Sequence, residues 1–185
     1  MSGKAGTLAA LGDPIPVHGR IELVPYDPAW PAIFEAQAAR VRAALGEAAM
    51  EVHHAGSTSV PGLCAKPIVD MVLAVADSTD EASYVPAFGG AGLALRIREP
   101  DWFEHRLLKG ADPAVNLHVF SAACPEIVRM LAFRDRLRTH QADRRLYEAT
   151  KRDLAAREWR FVQDYADAKT AVVETILARA LVEAT

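Results

Sequence analysis

The amino-acid sequence predicts an α+β fold: a mixed sheet of four or five strands, helices packed on one face of that sheet, and a helical C-terminal layer. Two features lead to this prediction. The run Ile68–Val75 is rich in β-branched residues and almost entirely apolar, which is typical of a strand in the interior of a sheet. The chain also changes character near Cys124, because short strand-like runs precede it and helical periodicity dominates after it.

The composition fits one soluble globular domain. The chain has 185 residues, of which 51% are hydrophobic and 24% are charged, so it can bury a substantial core. Residues 1–20 are rich in Gly and Pro and are predicted to form a flexible tail, which leaves residues 21–185 as a single domain. The sequence has no run of about 18 apolar residues and no signal-peptide core of roughly 7–15 residues. We therefore expect a cytoplasmic protein without a membrane span.

The first elements follow from cap residues and periodicity. Asp27-Pro28 predicts the start of a helix, whose apolar residues recur at helical spacing until Gly46. A strand over Met50–Ala55 leads into a loop over residues 56–62. The strand Ile68–Val75 follows this loop and is the strongest strand in the sequence.

After this strand we expect a helix from about Ser78 to Phe88, and then three strands of which the last two form a hairpin. These strands are predicted at Leu93–Arg98, His105–Leu108 and Val115–Phe120. Beyond Pro125 the apolar residues recur in three helical stripes, which indicate helices packed on a core. The stripes are Ile127, Met130, Leu131 and Leu137; Leu146, Tyr147, Leu154 and Trp159; and Val172, Val173, Ile176, Leu177 and Leu181.

The formal net charge of −3 argues against a protein that binds duplex nucleic acid, because such proteins usually carry a basic excess. Arginines between positions 134 and 145 alternate with Asp135 and Asp143, which indicates a salt-bridged surface. The cysteines, Cys64 and Cys124, form neither a disulfide framework nor a zinc motif and are expected to be reduced thiols. Phosphate ligands stay compatible with this composition, since basic side chains can cluster locally.

Asp70 does not fit the apolar pattern of its strand. A carboxylate in this position is costly unless it is paired, hydrogen-bonded or bound to a metal ion. Two interpretations are open: Asp70 is a structural acceptor for the preceding loop, or it is a metal ligand or general base. The loop Gly56-Ser57-Thr58-Ser59 favours the second interpretation, because small residues, hydroxyls and approachable backbone N–H groups suit a phosphate.

The spacing between the loop and the acid is more specific than either feature alone. Gly56-Ser57 is followed by 12 residues and then by Asp70, which resembles the signature of the DNA polymerase beta-like nucleotidyltransferase superfamily. More closely, HAGSTSVPGLCAKPIVDMVLAV at residues 54–75 resembles the GrpB family, a branch of that superfamily. VPYDPAWPAIFE, HRLL, NLHVF and FRDRLR resemble the same family, so the likeness covers about residues 20–180. It implies a nucleotidyltransferase-like mixed sheet with a helical C-terminal half.

The resemblance also implies a divalent cation and a nucleoside triphosphate. Nucleotidyltransferases usually carry a second acid two residues beyond the first, where this chain has Val72. Their third acid lies within an apolar triplet on a neighbouring strand, and the best match here is Leu117-His118-Val119. Asp70 and His118 are therefore the predicted metal ligands, for Mg²⁺ or Mn²⁺, or alternatively for Zn²⁺, which suits His with Asp better than Mg²⁺ does.

Further polar residues are candidates because they occur in the same motifs. His105 is predicted to complete the metal ligands or to act as a base, and His54 is expected to converge on Asp70 as well. Tyr147 and Lys151 are four residues apart, as are Tyr165 and Lys169, so each pair shares a helix face. Either these lysines are solvated, or one pair closes over a substrate cleft. The candidate phosphate-binding residues are Gly56, Ser57, Thr58, Ser59, Lys66, Arg106, Lys151 and Lys169.

Two functions of different classes follow. The first is an enzyme that transfers a nucleotidyl group from a nucleoside triphosphate to a small-molecule acceptor, with His118 or His105 as the base. The second is a non-catalytic module that binds a nucleotide or metabolite or supports folding, because the family resembles domains fused to dephospho-CoA kinase. The chain has no P-loop, so it is not itself that kinase. The missing second acid favours the module. The polar loop, Asp70 and the histidines favour the enzyme, and the enzyme is the function that we expect.

Overall fold

The centre of the protein is a mixed sheet of five full strands. In the computed structural model, which describes residues 9–10 and 20–183, a two-residue strand β1 (Ala9–Ala10) extends one edge of this sheet. The full strands are β2 (Glu51–Ala55), β3 (Val69–Val75), β4 (Leu93–Glu99), β5 (His105–Ala111) and β6 (Ala114–Ser121). With β1 included, the order of the strands in the sheet is β1-β4-β5-β6-β3-β2. Strands β3 and β6 are parallel, and the other neighbours are antiparallel. Most of the predicted tail, residues 1–8 and 11–19, lies outside the described residues.

In the described part of the chain, four of the α-helices match predicted helical segments with shifts at their ends, and one short helix was not predicted. They are α1 (Trp30–Leu45), α2 (Pro125–Thr139), α3 (Gln141–Ala155), α4 (Val162–Asp167) and α5 (Thr170–Glu183). The Asp27 carboxylate accepts a hydrogen bond from Ala29 N–H at 2.8 Å, just before α1, and Gly46 ends α1 with φ of 56°. Over residues 9–10 and 20–183, no helix is both long and apolar enough to cross a membrane.

Strand β3 is the interior strand that its composition predicts, with β6 on one side and β2 on the other. Met71 and Leu73 point to one face, where they join the buried cluster of α1. Val72 and Ala74 point to the opposite face, where they pack with residues of α2 such as Ile127. The predicted helix layer on one face and the predicted helical C-terminal layer thus cover opposite faces of this strand. A strand that is apolar on both faces needs a cover on each of them.

The segment expected to form a helix from Ser78 to Phe88 forms two 3-10 turns instead, Glu81–Ser83 and Val85–Ala91. Pro86 and the pair Gly89-Gly90 explain the difference, because proline and glycine have the lowest α-helix propensities. Tyr84 and Phe88 are nevertheless fully buried in the core next to α1.

The C-terminal helices hold the loop that precedes β3. Leu137 of α2, Tyr147 of α3 and Ile176 of α5 form one buried cluster with Val60 and Leu63 of that loop. Two members of the predicted apolar stripes, Leu146 and Leu181, are exposed instead. The loop is thus packed between the sheet and the C-terminal half, which brings side chains of α3 close to Asp70.

One buried carboxylate joins three helices. Asp143 of α3 has a side chain that is only 3% exposed, and its Oδ2 accepts a hydrogen bond from Arg136 Nε of α2 at 2.6 Å. Its Oδ1 accepts one from Arg179 of α5. Burial raises the pKa of Asp143, but the two guanidinium groups outweigh that effect and hold the pKa below its usual value.

We predict that Asp143→Asn lowers the free energy of unfolding by about 3 kcal/mol, because it leaves buried arginine charge without its counter-charge. The depressed pKa means that this stabilisation is present above about pH 4 and is lost as the pH falls through the folded-state pKa. Denaturant unfolding between pH 7 and pH 3 should therefore show a shallower acid loss in the variant.

The matched control is Asp135→Asn. Asp135 also pairs with two arginines, Arg134 and Arg138, but its side chain is 54% exposed. We expect a cost of less than about 1 kcal/mol there. Equal costs for the two variants would contradict a structural role for Asp143.

Candidate functional site

Three polar side chains meet on one face of the sheet where β3 begins. Asp70 of β3 and Asn116 of β6 are paired in register, and His118 lies two residues further along β6 on the same face. Asn116 Nδ2 donates a hydrogen bond to Asp70 Oδ1 at 2.8 Å, and His118 Nε2 lies 3.9 Å from the same oxygen. The predicted pair of Asp70 and His118 is thus brought together.

Asp70 is stabilised in its ionised form. Burial by itself raises the pKa of the carboxyl, but His118, the Asn116 amide and the Lys169 ammonium outweigh that effect and lower the pKa below its usual value. Asp70 is therefore a carboxylate at neutral pH. It faces its partners from a half-buried position, with 29% of its side chain exposed.

Gly56 is fitted closely to Asp70. Its backbone has φ of 64° and ψ of −170°, a region that essentially only glycine adopts. A Cβ atom at this position would lie 2.3 Å from Asp70 Oδ2, which is far inside van der Waals contact. The glycine predicted from the motif is therefore required for two reasons: the backbone conformation and the approach of the carboxylate.

Lysines surround this carboxylate. The sequence has five lysines, and Lys66, Lys151 and Lys169 line the same pocket as Asp70. Lys109 lies opposite Asn116 on β5, and the carboxylate of Asp70 partly offsets the effect of burial on its pKa. Burial lowers the pKa of all four ammonium groups. The fifth lysine, Lys4, lies outside the described residues.

The pocket has about 410 Å³ of space between protein atoms, part of it open to solvent. Among its described lining residues, three lysines face a single carboxylate, so the pocket carries an excess of positive charge. The centre of the Tyr165 ring lies 4.6 Å from Lys169 Nζ and 5.8 Å from Lys66 Nζ. Its hydroxyl is buried without a hydrogen-bond partner in the described structure. These features suit an anionic ligand.

Lys151 is the residue of α3 that lines the pocket. It is only 2% exposed, and its Nζ donates hydrogen bonds to Ser57 Oγ at 3.0 Å and to the Cys64 carbonyl. Burial lowers the pKa of this ammonium to about 8. Lys151 and Lys169 are therefore not freely solvated lysines, and both tyrosine–lysine pairs reach the pocket region.

The other two hydroxyls of the loop point elsewhere. Ser59 donates its hydroxyl to Gly56 O at 2.6 Å and lines a different, larger pocket beside His54. Thr58 lines the pocket of Asp70, Lys66, Lys151 and Lys169, which we call the lysine pocket, but its Oγ1 lies 3.0 Å from His54 Nε2. Ser59 was predicted to bind phosphate together with Gly56, Ser57 and Thr58. Its hydroxyl instead stabilises the turn.

His54 does not converge on Asp70. It is paired with Met71 across the sheet, so it lies on the face opposite to Asp70. Its ring is stacked on Phe34, with ring centroids 4.8 Å apart. Burial lowers the pKa of His54 to about 4, and the nearby Arg138 acts in the same direction. The structure thus makes it a neutral packing residue.

Arg106 was predicted to bind phosphate, but it lies outside the site. It is adjacent to His105 on β5 and therefore faces the other side of the sheet. Its guanidinium is buried and held by Glu81 at 2.6 Å and by Glu104 at 3.2 Å. The arginine fork is thus used within the fold.

His118 lies between His105 and Asp70. Its Nε2 lies 3.0 Å from His118 Nδ1, and its Nδ1 lies 2.7 Å from Glu99 Oε2. It is buried, and burial lowers its pKa to about 4 although the Glu99 carboxylate opposes that change. His105 is therefore placed to orient His118 and does not line the pocket.

The sequence reasoning did not select Asn116, Lys109 or Glu99. Asn116 could have been found from the alternation of side chains on a strand, because it lies two residues before His118. Lys109 lies four residues after His105 and so shares its face in the same way. Glu99 offered no such signal, since its contact with His105 depends on the pairing of β4 with β5.

Comparison with known proteins gives consistent results along most of the chain. The family model described as GrpB protein matches residues 20–179. A UPF0157 protein of Halalkalibacterium halodurans, BH1888, is 55% identical over 170 residues, which is 92% of this chain and 87% of the relative. The crystal structure of conserved protein GrpB from Enterococcus faecalis matches with a TM-score of 0.71 and 30% identity, covering 88% of this chain and 98% of the other.

A more distant relative has a named activity. The dephospho-CoA kinase of Mycolicibacterium paratuberculosis is 28% identical over 163 residues. The match covers 74% of this chain but only 40% of the kinase.

We predict that Gly56→Ala destabilises the protein by about 3 kcal/mol or more, because backbone strain adds to the clash with Asp70. The control is Gly62→Ala, where φ is also positive at 78° but no atom lies within 4 Å of the added Cβ. That variant should cost about 1–2 kcal/mol. Denaturant unfolding of both proteins measures the difference, and equal losses would show that Asp70 does not constrain Gly56.

Proposed function

The chain belongs to the GrpB family, and from that premise we propose that it is a nucleotidyltransferase-like enzyme. The proposed reaction moves a nucleotidyl group from a nucleoside triphosphate to a small-molecule acceptor, with a divalent cation. The observation that supports it most is the pocket in which three lysines and Ser57 face one carboxylate, Asp70.

The phosphates of the ligand would bind among the lysines. Lys66 and Lys169 lie near the Tyr165 ring, and Lys151 is hydrogen-bonded to Ser57; all of these residues line the pocket together with Asp70. Ammonium groups are strong point-charge donors to phosphate oxygens. A triphosphate would also offset the excess positive charge, which a neutral metabolite would leave in place.

In this proposal, Asp70 and His118 would hold a divalent cation. Among residues 9–10 and 20–183, no three His, Cys, Asp or Glu side chains are grouped closely enough to hold a metal ion. Two protein ligands are nevertheless sufficient for a cation that arrives with phosphates, since Mg²⁺ commonly takes its other ligands from substrate oxygens and water. When bound, such a cation neutralises charge on the phosphate that reacts.

The histidines would orient the reacting groups. Glu99 lies against His105, and His105 lies against His118, so the ring of His118 is held with its Nε2 toward Asp70. A ligating histidine is typically fixed in this way by a partner on its other nitrogen. His118 is the catalytic histidine of the proposal, and His105 is a positioning residue.

One observation favours a second function, a non-catalytic nucleotide-binding or folding-support module. Val72, at the place of the second acid, is fully buried against residues of α2, so this position is part of the core. The likeness of the chain to 40% of a dephospho-CoA kinase agrees with a module that also occurs inside a larger protein. Turnover with a nucleoside triphosphate separates the two functions.

We predict that at least one of ATP, GTP, CTP and UTP binds with Mg²⁺ or Mn²⁺ with a Kd below about 1 mM in titration calorimetry. Lys169→Met should weaken that binding about tenfold or more, because it removes a charge-assisted hydrogen bond. The control is Arg152→Met, which removes an exposed cation paired with Glu148 on the same helix as Lys151. Lack of binding by all four nucleotides, or equal effects of the two variants, would contradict the proposal.

We predict opposite effects of Asp70→Asn with and without the cation. With Mn²⁺, nucleotide binding should weaken about tenfold, because one of two metal ligands is lost. With a chelator, binding should tighten, because the carboxylate no longer repels the phosphates. Asp77→Asn serves as the control, since Asp77 is exposed after β3 and its carboxylate binds Thr79. If Asp70→Asn keeps the metal dependence of the natural protein, Asp70 is not a metal ligand.

A further inference from the structure

Ser57 differs from its two hydroxyl neighbours in the loop. The hydroxyl of Ser59 is used on Gly56 O, and that of Thr58 lies against His54. Ser57 Oγ lies in the lysine pocket instead, 3.0 Å from Lys151 Nζ. The turn that begins at Ser57 thus presents one hydroxyl to the pocket and to a lysine.

Lys151 has the surroundings of a lysine that can lose its proton. It is 2% exposed, and the two hydrogen bonds that the structure gives its Nζ go to neutral acceptors, Ser57 Oγ and the Cys64 carbonyl. A buried ammonium without a carboxylate acceptor is costly, so burial favours the neutral amine. The pKa of about 8 leaves about one tenth of Lys151 neutral at pH 7, which is suitable for a general base.

Tyr147 completes the arrangement. Lys151 Nζ lies 4.9 Å from the centre of its ring, and the Ser57 hydroxyl partly offsets the effect of burial, which raises the pKa of Tyr147. With the amine neutral, Ser57 Oγ donates to Lys151 Nζ, and Lys151 Nζ donates to the Cys64 carbonyl. Each polar atom in this series has a partner, and the Ser57 proton is directed at the base.

We propose that Ser57 is a covalent nucleophile activated by Lys151, and that its electrophile is the terminal phosphorus of a phosphoric anhydride. Serine–lysine pairs are known to replace serine–histidine pairs in other nucleophilic sites. The neighbouring Lys66 and Lys169 select an anionic electrophile. The inference rests on the proposed function only for the kind of ligand, and it adds a covalent role that phosphate binding does not require.

The proposed step transfers a phosphoryl group to Ser57. Ser57 Oγ forms a bond to phosphorus, and the bond between phosphorus and the bridging oxygen breaks. The bridging oxygen leaves with the electron pair, as nucleoside diphosphate from a triphosphate or as acetate from acetyl phosphate. The hydroxyl proton moves to Lys151 Nζ. The product is phosphoserine at position 57 beside a charged Lys151.

The test is phosphorylation of the purified full-length protein by two donors, ATP with Mn²⁺ and acetyl phosphate with Mn²⁺. Intact mass and peptide mapping are followed over time between pH 6 and pH 9. We expect one phosphoryl group on Ser57 and none in Ser57→Ala. The rate should rise with pH and level off above about pH 8, as Lys151 becomes neutral. The ionisable groups around Lys151 are Cys64, Tyr147, Glu148, Arg152 and Lys169.

Two lysine variants separate activation from binding. Lys151→Met should slow the modification at saturating donor by about a hundredfold or more, the usual range for a general base. Its melting temperature should not fall, because methionine fills a similar volume without a buried charge. Lys169→Met should instead raise the donor concentration needed for half-maximal rate, and at saturating donor it should slow the modification far less than Lys151→Met does. The pH at which the rate levels off should move upward, because the charge of Lys169 helps to lower the pKa of Lys151.

The outcomes distinguish this inference from the proposed function. Nucleotide binding without modification of Ser57 by either donor overturns the inference and leaves the proposed function standing. Modification of Ser57 by acetyl phosphate without any nucleotide binding supports the inference and removes the nucleotide from the proposal. A pH-independent rate, or a rate unchanged in folded Lys151→Met, overturns the role of Lys151.

Discussion

Strand β3 is covered on both faces by apolar packing, yet it carries a carboxylate at Asp70, and this contrast shapes the site. The strand is fully buried from Met71 to Ala74, so the groups that stabilise the carboxylate must come from other elements. Asn116 and His118 reach it from β6, and lysines approach from the loop before β3 and from the C-terminal half. The ionised Asp70 is the one negative charge among the described residues that line the pocket.

The two kinds of basic residue have different tasks in this protein. Several arginines form ion pairs within the fold, for example Arg136 with Asp143 and Arg106 with Glu81. The planar guanidinium suits such fixed pairs with carboxylates. The lysines, in contrast, collect around Asp70, where their positive charge exceeds that of the single carboxylate. A protein with a net negative charge thus keeps a locally positive pocket, because several of its acids are paired with arginines and only one acid, Asp70, is among the described residues that line the pocket with the lysines.

The loop before β3 links the fold to the chemistry. Its apolar residues Val60 and Leu63 are buried between the sheet and the C-terminal helices, and Gly56 lets it pass close to Asp70. Ser57 therefore lines the same pocket as Asp70 and lies within hydrogen-bond distance of Lys151. The same packing that stabilises the helices of the C-terminal half also sets the distance between serine and lysine, so site geometry and fold stability are coupled.

Much of this arrangement could be predicted from local sequence. The alternation and composition of Ile68–Val75 identify an interior strand with a polar exception, and the spacing from Gly56-Ser57 to Asp70 identifies the loop and its partner, because these features depend on residues close in the chain. The i, i+4 spacing likewise placed Tyr147 with Lys151, and the GrpB family is confirmed along residues 20–179.

The tertiary structure decided which of the candidates meet. Strand pairing put His54 and Arg106 on the face away from Asp70, and brought Asn116, Lys109 and Glu99 into the network around it. The packing of α3 against the loop brought together two candidate phosphate ligands, Ser57 and Lys151, which lie 94 residues apart in the sequence. Local periodicity specifies on which side of its own strand or helix a residue lies. Which elements then face each other is determined by the burial of apolar surface across the whole chain, and no short segment contains that information.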